Sequence, residues 1–244
     1  MKTKQLLFVL LATLFMLATS CSKNEDMASQ KKLITLSTTS ATLHNGETYK
    51  IQAQCDNTIT YSSGNEYHAK VSSSGVVTAQ YVGNTTNTLK SKDDTKTFSV
   101  NVSPRSNLYP KPNINFGETR SSVISKLGTP ASTTSNAIGY TSYSANAPIL
   151  AVLFDNNNCV SAYSLLIYST YASELSTFIR ERYVYVTYSD GQYLFINSLS
   201  ASTATMIVGY GQYNSNYSQS IYIPYDKKDA YTEDLDAILK ELTK

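Results

Sequence analysis

Ile149-Leu150-Ala151-Val152-Leu153-Phe154 leads through the turn Asp155-Asn156-Asn157-Asn158 into a second strand-like run, Val160 to Tyr168. Short polar side chains suit the turn, and the apolar, β-branched and aromatic residues on either side favour extended chain. This pair reads as a hairpin, with the strand Ala137 to Tyr143 before it. Upstream, Glu118 to Leu127 reads as a helix. Val123, Ile124 and Leu127 form its apolar stripe, Gly128 suits its stop and Pro130 prevents continuation. Downstream the same order recurs. Ser173 to Arg182 reads as a helix with Leu175, Phe178 and Ile179 on one face. Strands are then expected over Tyr183 to Tyr188, Gln192 to Asn197, Thr203 to Tyr210 and Ser220 to Tyr225, with Asn214-Ser215-Asn216 as a turn before the last. The expectation is an α+β domain over residues 113–244. It would be an antiparallel sheet with helices on one face, built from a tandem helix-plus-strands repeat.

Upstream of this lies a different composition. From Leu33 to Ser103 short alternating runs recur, among them Tyr49 to Cys55 and Phe98 to Val102, punctuated by Gly46, Gly64, Gly75 and Gly83. Such spacing argues for an all-β sandwich. The series Ala41-Thr42-Leu43, Gly46-Glu47-Thr48-Tyr49, Ile59-Thr60-Tyr61-Ser62-Ser63, Ala69-Lys70-Val71-Ser72 and Gly75-Val76-Val77-Thr78-Ala79 resembles a bacterial Ig-like group 2 domain. Tyr61 stands where that family usually has Trp, and Asn84 to Lys96 is more polar than its pattern. The resemblance implies a spacer or adhesive role and no catalytic residue. In the C-terminal half, Phe116-Gly117-Glu118-Thr119 through Leu127-Gly128-Thr129-Pro130 resembles the opening of β-lactamase-inhibitor-protein-like and small outer-membrane-assembly lipoprotein domains. That resemblance implies a helix before antiparallel strands and no binding residue. Pro104, Pro110 and Pro112 mark a Pro-rich linker, residues 104–112, between the two domains. The chain is thus read as multidomain, an Ig-like sandwich over 33–103 followed by the α+β domain.

Residues 1–20 read as a signal peptide. Lys2 and Lys4 precede a run from Leu6 to Ala18 that is apolar apart from Thr13, and small residues lead into Cys21. Leu17-Ala18-Thr19-Ser20-Cys21 resembles the lipobox of bacterial lipoproteins, which implies a diacylglycerol on Cys21 and anchoring to the membrane through that lipid. Ser22-Lys23-Asn24-Glu25-Asp26 resembles the signal that sends some lipoproteins to the cell surface. Residues 21–32 then serve as the lipidated tether. An outer-membrane lipoprotein facing the cell surface is expected, with a periplasm-facing one as the alternative. Cys55 and Cys159 read as two buried thiols, a single bridge between them being the other arrangement.

The chain has 244 residues, with 20 Lys+Arg against 18 Asp+Glu, and both lysines of the first twenty residues leave with the signal. The remainder is neutral, so no nucleic-acid partner is expected. Only His44 and His68 are present, both in the Ig-like segment, and no Cys or His pair has ligand spacing. No catalytic residue, metal site or cofactor is therefore expected. A cryptic carboxylate pair would have to come from Glu118, Asp155, Glu174, Glu181 and Asp190; Asp155 and Asp190 carry the hydrolase alternative.

Tyrosine stands out. Of 20 in the chain, 14 fall within residues 104–224, where there are only 6 basic and 5 acidic side chains. Tyr offers a large apolar face and a hydroxyl at small entropic cost, which suits recognition of glycans or protein surfaces. Alternation places Tyr183 and Tyr185 on one sheet face and Tyr188 on the other. Tyr210, Tyr213 and Tyr217 surround a loop rich in Gly, Gln, Asn and Ser and are the candidate ligand-binding residues. The tail beyond Tyr225 holds Leu235, Ile238, Leu239 and Leu242 at helical spacing, with Thr232 as N-cap, and should dock on its own domain. The expected function is a non-catalytic binding or adhesion module for protein or glycan, with a structural or assembly factor for outer-membrane proteins as a second reading.

Overall fold

Strand alternation in the first third buries one residue in two, and the computed structural model shows what it is buried against. The structure describes residues 31–227 and 239–243. The signal peptide, Cys21 and nearly all of the tether lie outside the described residues, as does the start of the expected C-terminal helix.

Nine strands run through the first part: β1 (Thr35–Leu36), β2 (Ser40–Leu43), β3 (Thr48–Lys50), β4 (Ala53–Gln54), β5 (Thr60–Ser63), β6 (Ala69–Val71), β7 (Val76–Ala79), β8 (Gly83–Lys90) and β9 (Thr95–Val102). They form a four-stranded sheet in the order β2-β9-β8-β5, a three-stranded sheet β3-β7-β6 and the pair β1-β4. All pairings are antiparallel except β2 with β9. Leu43, Leu89, Phe98, Val100 and Val102 from the larger sheet meet Ala69, Val77 and Ala79 from the smaller one in a single core. Two sheets sharing one apolar layer make a sandwich. Tyr61 lies at its margin and covers Gly75. That residue has φ +79°, and a Cβ there would lie 2.7 Å from the Tyr61 ring. The polar stretch from Asn84 nevertheless forms a strand, because alternation turns Thr85, Asn87 and Leu89 inward.

Up to residue 227 the second part has eight strands and two α-helices: α1 (Arg120–Leu127), β10 (Ser132–Thr133), β11 (Ala137–Tyr140), β12 (Ile149–Phe154), β13 (Val160–Tyr168), α2 (Ala172–Arg180), β14 (Val184–Ser189), β15 (Gln192–Ile196), β16 (Met206–Gln212) and β17 (Tyr217–Pro224). They form one antiparallel sheet in the order β10-β11-β12-β13-β17-β16-β15-β14. Each copy of the expected repeat therefore starts with a helix and steps inward from an outer edge. The two last strands, β13 and β17, meet at the centre with Ser164 opposite Ile221.

Helix α1 starts two residues later than the sequence indicates. Thr119 is the N-cap and accepts the Ser122 N–H at 3.3 Å, while Gly128 at φ +86° closes the last turn. Val123 of α1 and Leu175, Phe178 and Ile179 of α2 enter the same buried cluster, on the face carrying Leu150, Val152, Tyr163, Leu165 and Tyr222. The opposite face carries Ile149, Ala151, Leu153, Leu166 and Ile221, and helical residue Leu239 is buried against it. Helical elements thus lie on both faces of the sheet rather than one. That arrangement explains the unbroken apolar runs. Every residue of β12, and all of β13 but Tyr168, is buried because both faces are covered.

Residues 104–112 are not a spacer crossing solvent. Leu108 and Tyr109 are buried in the sheet cluster, and the Tyr109 hydroxyl bonds Ser220 Oγ and Tyr222 Oη at 2.9 and 2.8 Å. Burial pushes the Tyr109 and Tyr222 hydroxyls well above their ordinary pKa. Prolines prevent regular structure in this segment but leave its side chains free to pack. The buried carboxylate of Glu181, just past α2, accepts the backbone N–H groups of Arg105 (2.7 Å) and Ser106 (3.2 Å) and pairs with the Arg182 guanidinium. The Glu181 carbonyl accepts the Val82 N–H at 2.8 Å, and the Tyr67 hydroxyl donates to the Arg182 carbonyl at 2.5 Å. Sandwich and sheet accordingly belong to one compact unit from Lys32 onward.

Candidate functional site: a tyrosine ladder beside helix α2

The hairpin between β14 and β15 sets the site. Asp190 and Gly191, at φ +51° and +78°, form a two-residue turn that pairs Ser189 with Gln192 and hence Tyr188 with Tyr193. Further along, the pairing skips Val186, an extra residue that bulges from β14, so Tyr185 sits opposite Phe195. This corrects the parity expected from simple alternation. One extra residue between Tyr185 and Tyr188 brings both onto the same face as Tyr193, instead of opposite faces.

The row continues inward, because Tyr193 pairs with Tyr210 of β16. The rings follow: Tyr188 and Tyr193 have centroids 4.7 Å apart, and Tyr193 stacks on Tyr210 at 5.1 Å. Tyr185 meets the edge of Phe195 at 5.5 Å. Exposure falls along the row. Tyr188 is 55% exposed, Tyr185 47% and Tyr193 37%, whereas Tyr210 is buried beneath α2. There its hydroxyl and Ser176 Oγ lie 2.8 Å apart. A cleft of about 420 Å³ opens where the ladder passes under the helix, and Ser169, Tyr188, Tyr193, Tyr210, Gln212 and Ser218 are among its walls.

Arg180, in the last turn of α2, lies over the same surface. Its guanidinium carbon is 5.5 Å from the centroids of Tyr185 and Tyr193 and 5.6 Å from that of Phe195. Nε donates to Ser176 Oγ at 3.2 Å, and the side chain forms no ion pair among the described residues. Aromatic area, hydroxyls and one cation form a surface that can hold a ligand.

Of the three tyrosines singled out from the sequence, Tyr210 lies in this cleft. Tyr213 and Tyr217 do not join it. They pack against the cluster on the opposite sheet face, where Tyr217 stacks on Tyr168 at 5.6 Å. The three are close in sequence, but Tyr210 in β16 points to one face while Tyr213, in the loop, and Tyr217 in β17 pack on the other. Tyr188, Tyr193 and Arg180 were not foreseen as site residues. The Asp190-Gly191 dipeptide, a strong two-residue hairpin signal, would have paired Tyr188 with Tyr193.

The carboxylates considered for hydrolysis have structural work. Asp155 Oδ1 accepts the N–H groups of Asn157 and Cys159 at 3.1 and 3.0 Å, shaping its turn. Glu118 pairs with Lys126 and accepts the Ser122 hydroxyl and the Asn115 N–H, which together hold its pKa near about 2. Glu174 accepts the Ser106 hydroxyl at 3.0 Å, and Glu181 is fixed as described. Asp190 occupies the hairpin tip. Cys55 and Cys159 are free thiols, half-buried rather than fully buried. His44 and His68 bond the carbonyls of Ser103 and Tyr81. No cluster of three metal-ligating side chains occurs among the described residues, and none of their helices is long and apolar enough to cross a membrane.

No protein-family model matches the sequence, and no curated protein matches it. Among solved structures, domains 4 and 5 of the S-layer protein SbsC are similar over 28% of this chain and 50% of that one, at 22% identity and a TM-score of 0.27. SbsC domains 5–6 align over 80% of this chain and 85% of that one, at 15% identity and a TM-score of 0.26. Human protocadherin-24 EC1-2 aligns over 78% and 94%, at 14% identity and a TM-score of 0.26. This chain spans half of the SbsC domain 4–5 structure and about a quarter of the domain 4–9 structure. Scores this low identify no shared overall fold, and no role passes from those proteins to this one.

Proposed function

We propose that this protein is a non-catalytic binding module of the bacterial cell envelope, anchored through lipid on Cys21 and facing the cell surface. In this reading the Ig-like sandwich carries an α+β unit, residues 113–244, whose tyrosine ladder binds protein or glycan. The anchor rests on the lipobox-like sequence and the signal-like segment before it. One observation carries the binding reading: half-exposed Tyr188 and Tyr193 stack in a row that runs into a 420 Å³ cleft. Sheet proteins ordinarily keep large aromatic rings covered, and exposed apolar groups concentrated on one element mark interaction surfaces.

The test immobilises the full chain and passes over it solubilised envelope protein and, separately, envelope polysaccharide. The native chain retains one of the two fractions, and the double variant Tyr188→Ala/Tyr193→Ala loses at least nine-tenths of it. Equal retention by the double variant would remove the ladder from the function. Retention of neither fraction by the native chain would overturn the binding reading itself.

A further inference from the structure

We propose that the ladder takes an acidic glycan, a chain of sugars bearing carboxylates, with Arg180 as the group that reads the acid; this rests on the binding reading above. Three observations converge. The first is charge. Arg180 lies over three rings, contacts only a serine hydroxyl through Nε, and forms no ion pair among the described residues. Its neighbour in kind, Arg120, shows the difference. That guanidinium lies 4.4 Å from the Phe154 centroid, but its nitrogens donate to Asn158 Oδ1 at 2.7 Å and to the carbonyls of Thr134 and Ser135. Arg120 is committed to the fold, whereas Arg180 keeps donors for a planar carboxylate.

The second observation is shape. Tyr188 and Tyr193 expose aromatic surface on the scale of a sugar ring, and Ser169, Gln212 and Ser218 in the adjoining cleft supply hydroxyl and amide partners. The third disfavours a peptide. A peptide added to the outer edge of β14 needs a regular backbone ladder, and the Val186 bulge interrupts it in mid-strand. Charge also sets the polarity of binding. Asp190 stands at the hairpin tip, beyond the Tyr188–Tyr193 pair, and Arg180 lies over Tyr193 and the Tyr185–Phe195 pair, away from the tip. The sugar carboxylate accordingly points away from the tip.

Calorimetric titration of the full chain in detergent tests this. The probes are oligosaccharides of galacturonate, glucuronate and mannuronate, and the same three with every carboxyl reduced to the alcohol. At least one acidic oligomer binds, and its reduced counterpart binds at least tenfold more weakly. Arg180→Gln removes that difference and leaves the melting curve unchanged. Tyr188→Ala weakens both forms. Raising the salt concentration narrows the gap between acidic and reduced forms, because an exposed charge contact is screened.

Equal affinity for acidic and reduced forms, or an unaltered preference in Arg180→Gln, overturns the acid assignment while leaving a glycan-binding ladder in place. Binding of none of the six oligosaccharides overturns the proposal. The binding reading then stands if the native chain, and not the double tyrosine variant, retains envelope protein, and falls if it retains nothing.

Discussion

The two halves of the eight-stranded sheet are laid out alike and finished differently. Each begins with a helix and steps from an outer edge to the central β13–β17 pair. In the first half the outer strand, β10, is two residues long, and β11 and β12 are buried throughout. In the second half the outer strand, β14, is six residues long, and all but its first residue are exposed. The same architecture has been closed at one end and left open at the other. A short edge strand protects a sheet from unwanted pairing, whereas a long aromatic one needs another reason to exist, which the proposed recognition would supply. The bulge at Val186 protects the open edge while turning Tyr188 towards its neighbours.

Mutational sensitivity should follow that contrast. Leu165→Ala in the fully buried β13 should lower unfolding stability by about 2–5 kcal/mol in denaturant titration. Val186→Ala in β14 should change it by less than about 0.5 kcal/mol. Similar values for both would show that the outer strand is as integral as the centre. A finer division concerns the two arginines. Arg120→Gln should cost about 1–2 kcal/mol, because three protein acceptors lose a charged donor. Arg180→Gln should fall within about 0.5 kcal/mol. A large loss at Arg180 would make it a structural residue and weaken its assignment to ligand.

A pH-dependent effect lies at the helix entries. Glu118 fastens the start of α1 and has its pKa lowered from 4.5 to about 2, first by Lys126 and then by Ser122. Tyr171 at the start of α2 makes no side-chain capping bond. A lowered carboxyl pKa stabilises above the unfolded value, and the contribution disappears as pH falls through the folded one. The stability gap between native chain and Glu118→Gln should therefore be complete above about pH 5 and close towards about pH 2. No gap at any pH would mean that the glutamine keeps the entry closed by hydrogen bonding alone.

Much of the strand pattern could be read from the residues. The runs Ile149–Phe154 and Val160–Tyr168 form strands over those same positions, because a double-sided apolar run bounded by a polar turn has few other fates. The sandwich strands were legible from one-sided alternation instead, which even the polar β8 keeps. What escaped was set by geometry between elements. Strand order and the opposed arrangement of the two repeats depend on contacts far apart in sequence. The face on which Tyr188 appears depends on a single unpaired residue, Val186, that no composition signal marks. Tyr210, Tyr213 and Tyr217 are close along the chain, but strand parity divides them. The packing of residues 104–112 was hidden because prolines announce irregular backbone and say nothing about where Leu108 and Tyr109 insert.

Glu181 has a mechanical consequence. Its carboxylate grips the chain at Arg105 and Ser106, and its carbonyl holds Val82 of the sandwich. In the proposed anchored protein, tension entering near Ile34 would reach the open edge through a braced joint rather than a slack cord, so the rings would keep their aim while a ligand bound as proposed is pulled.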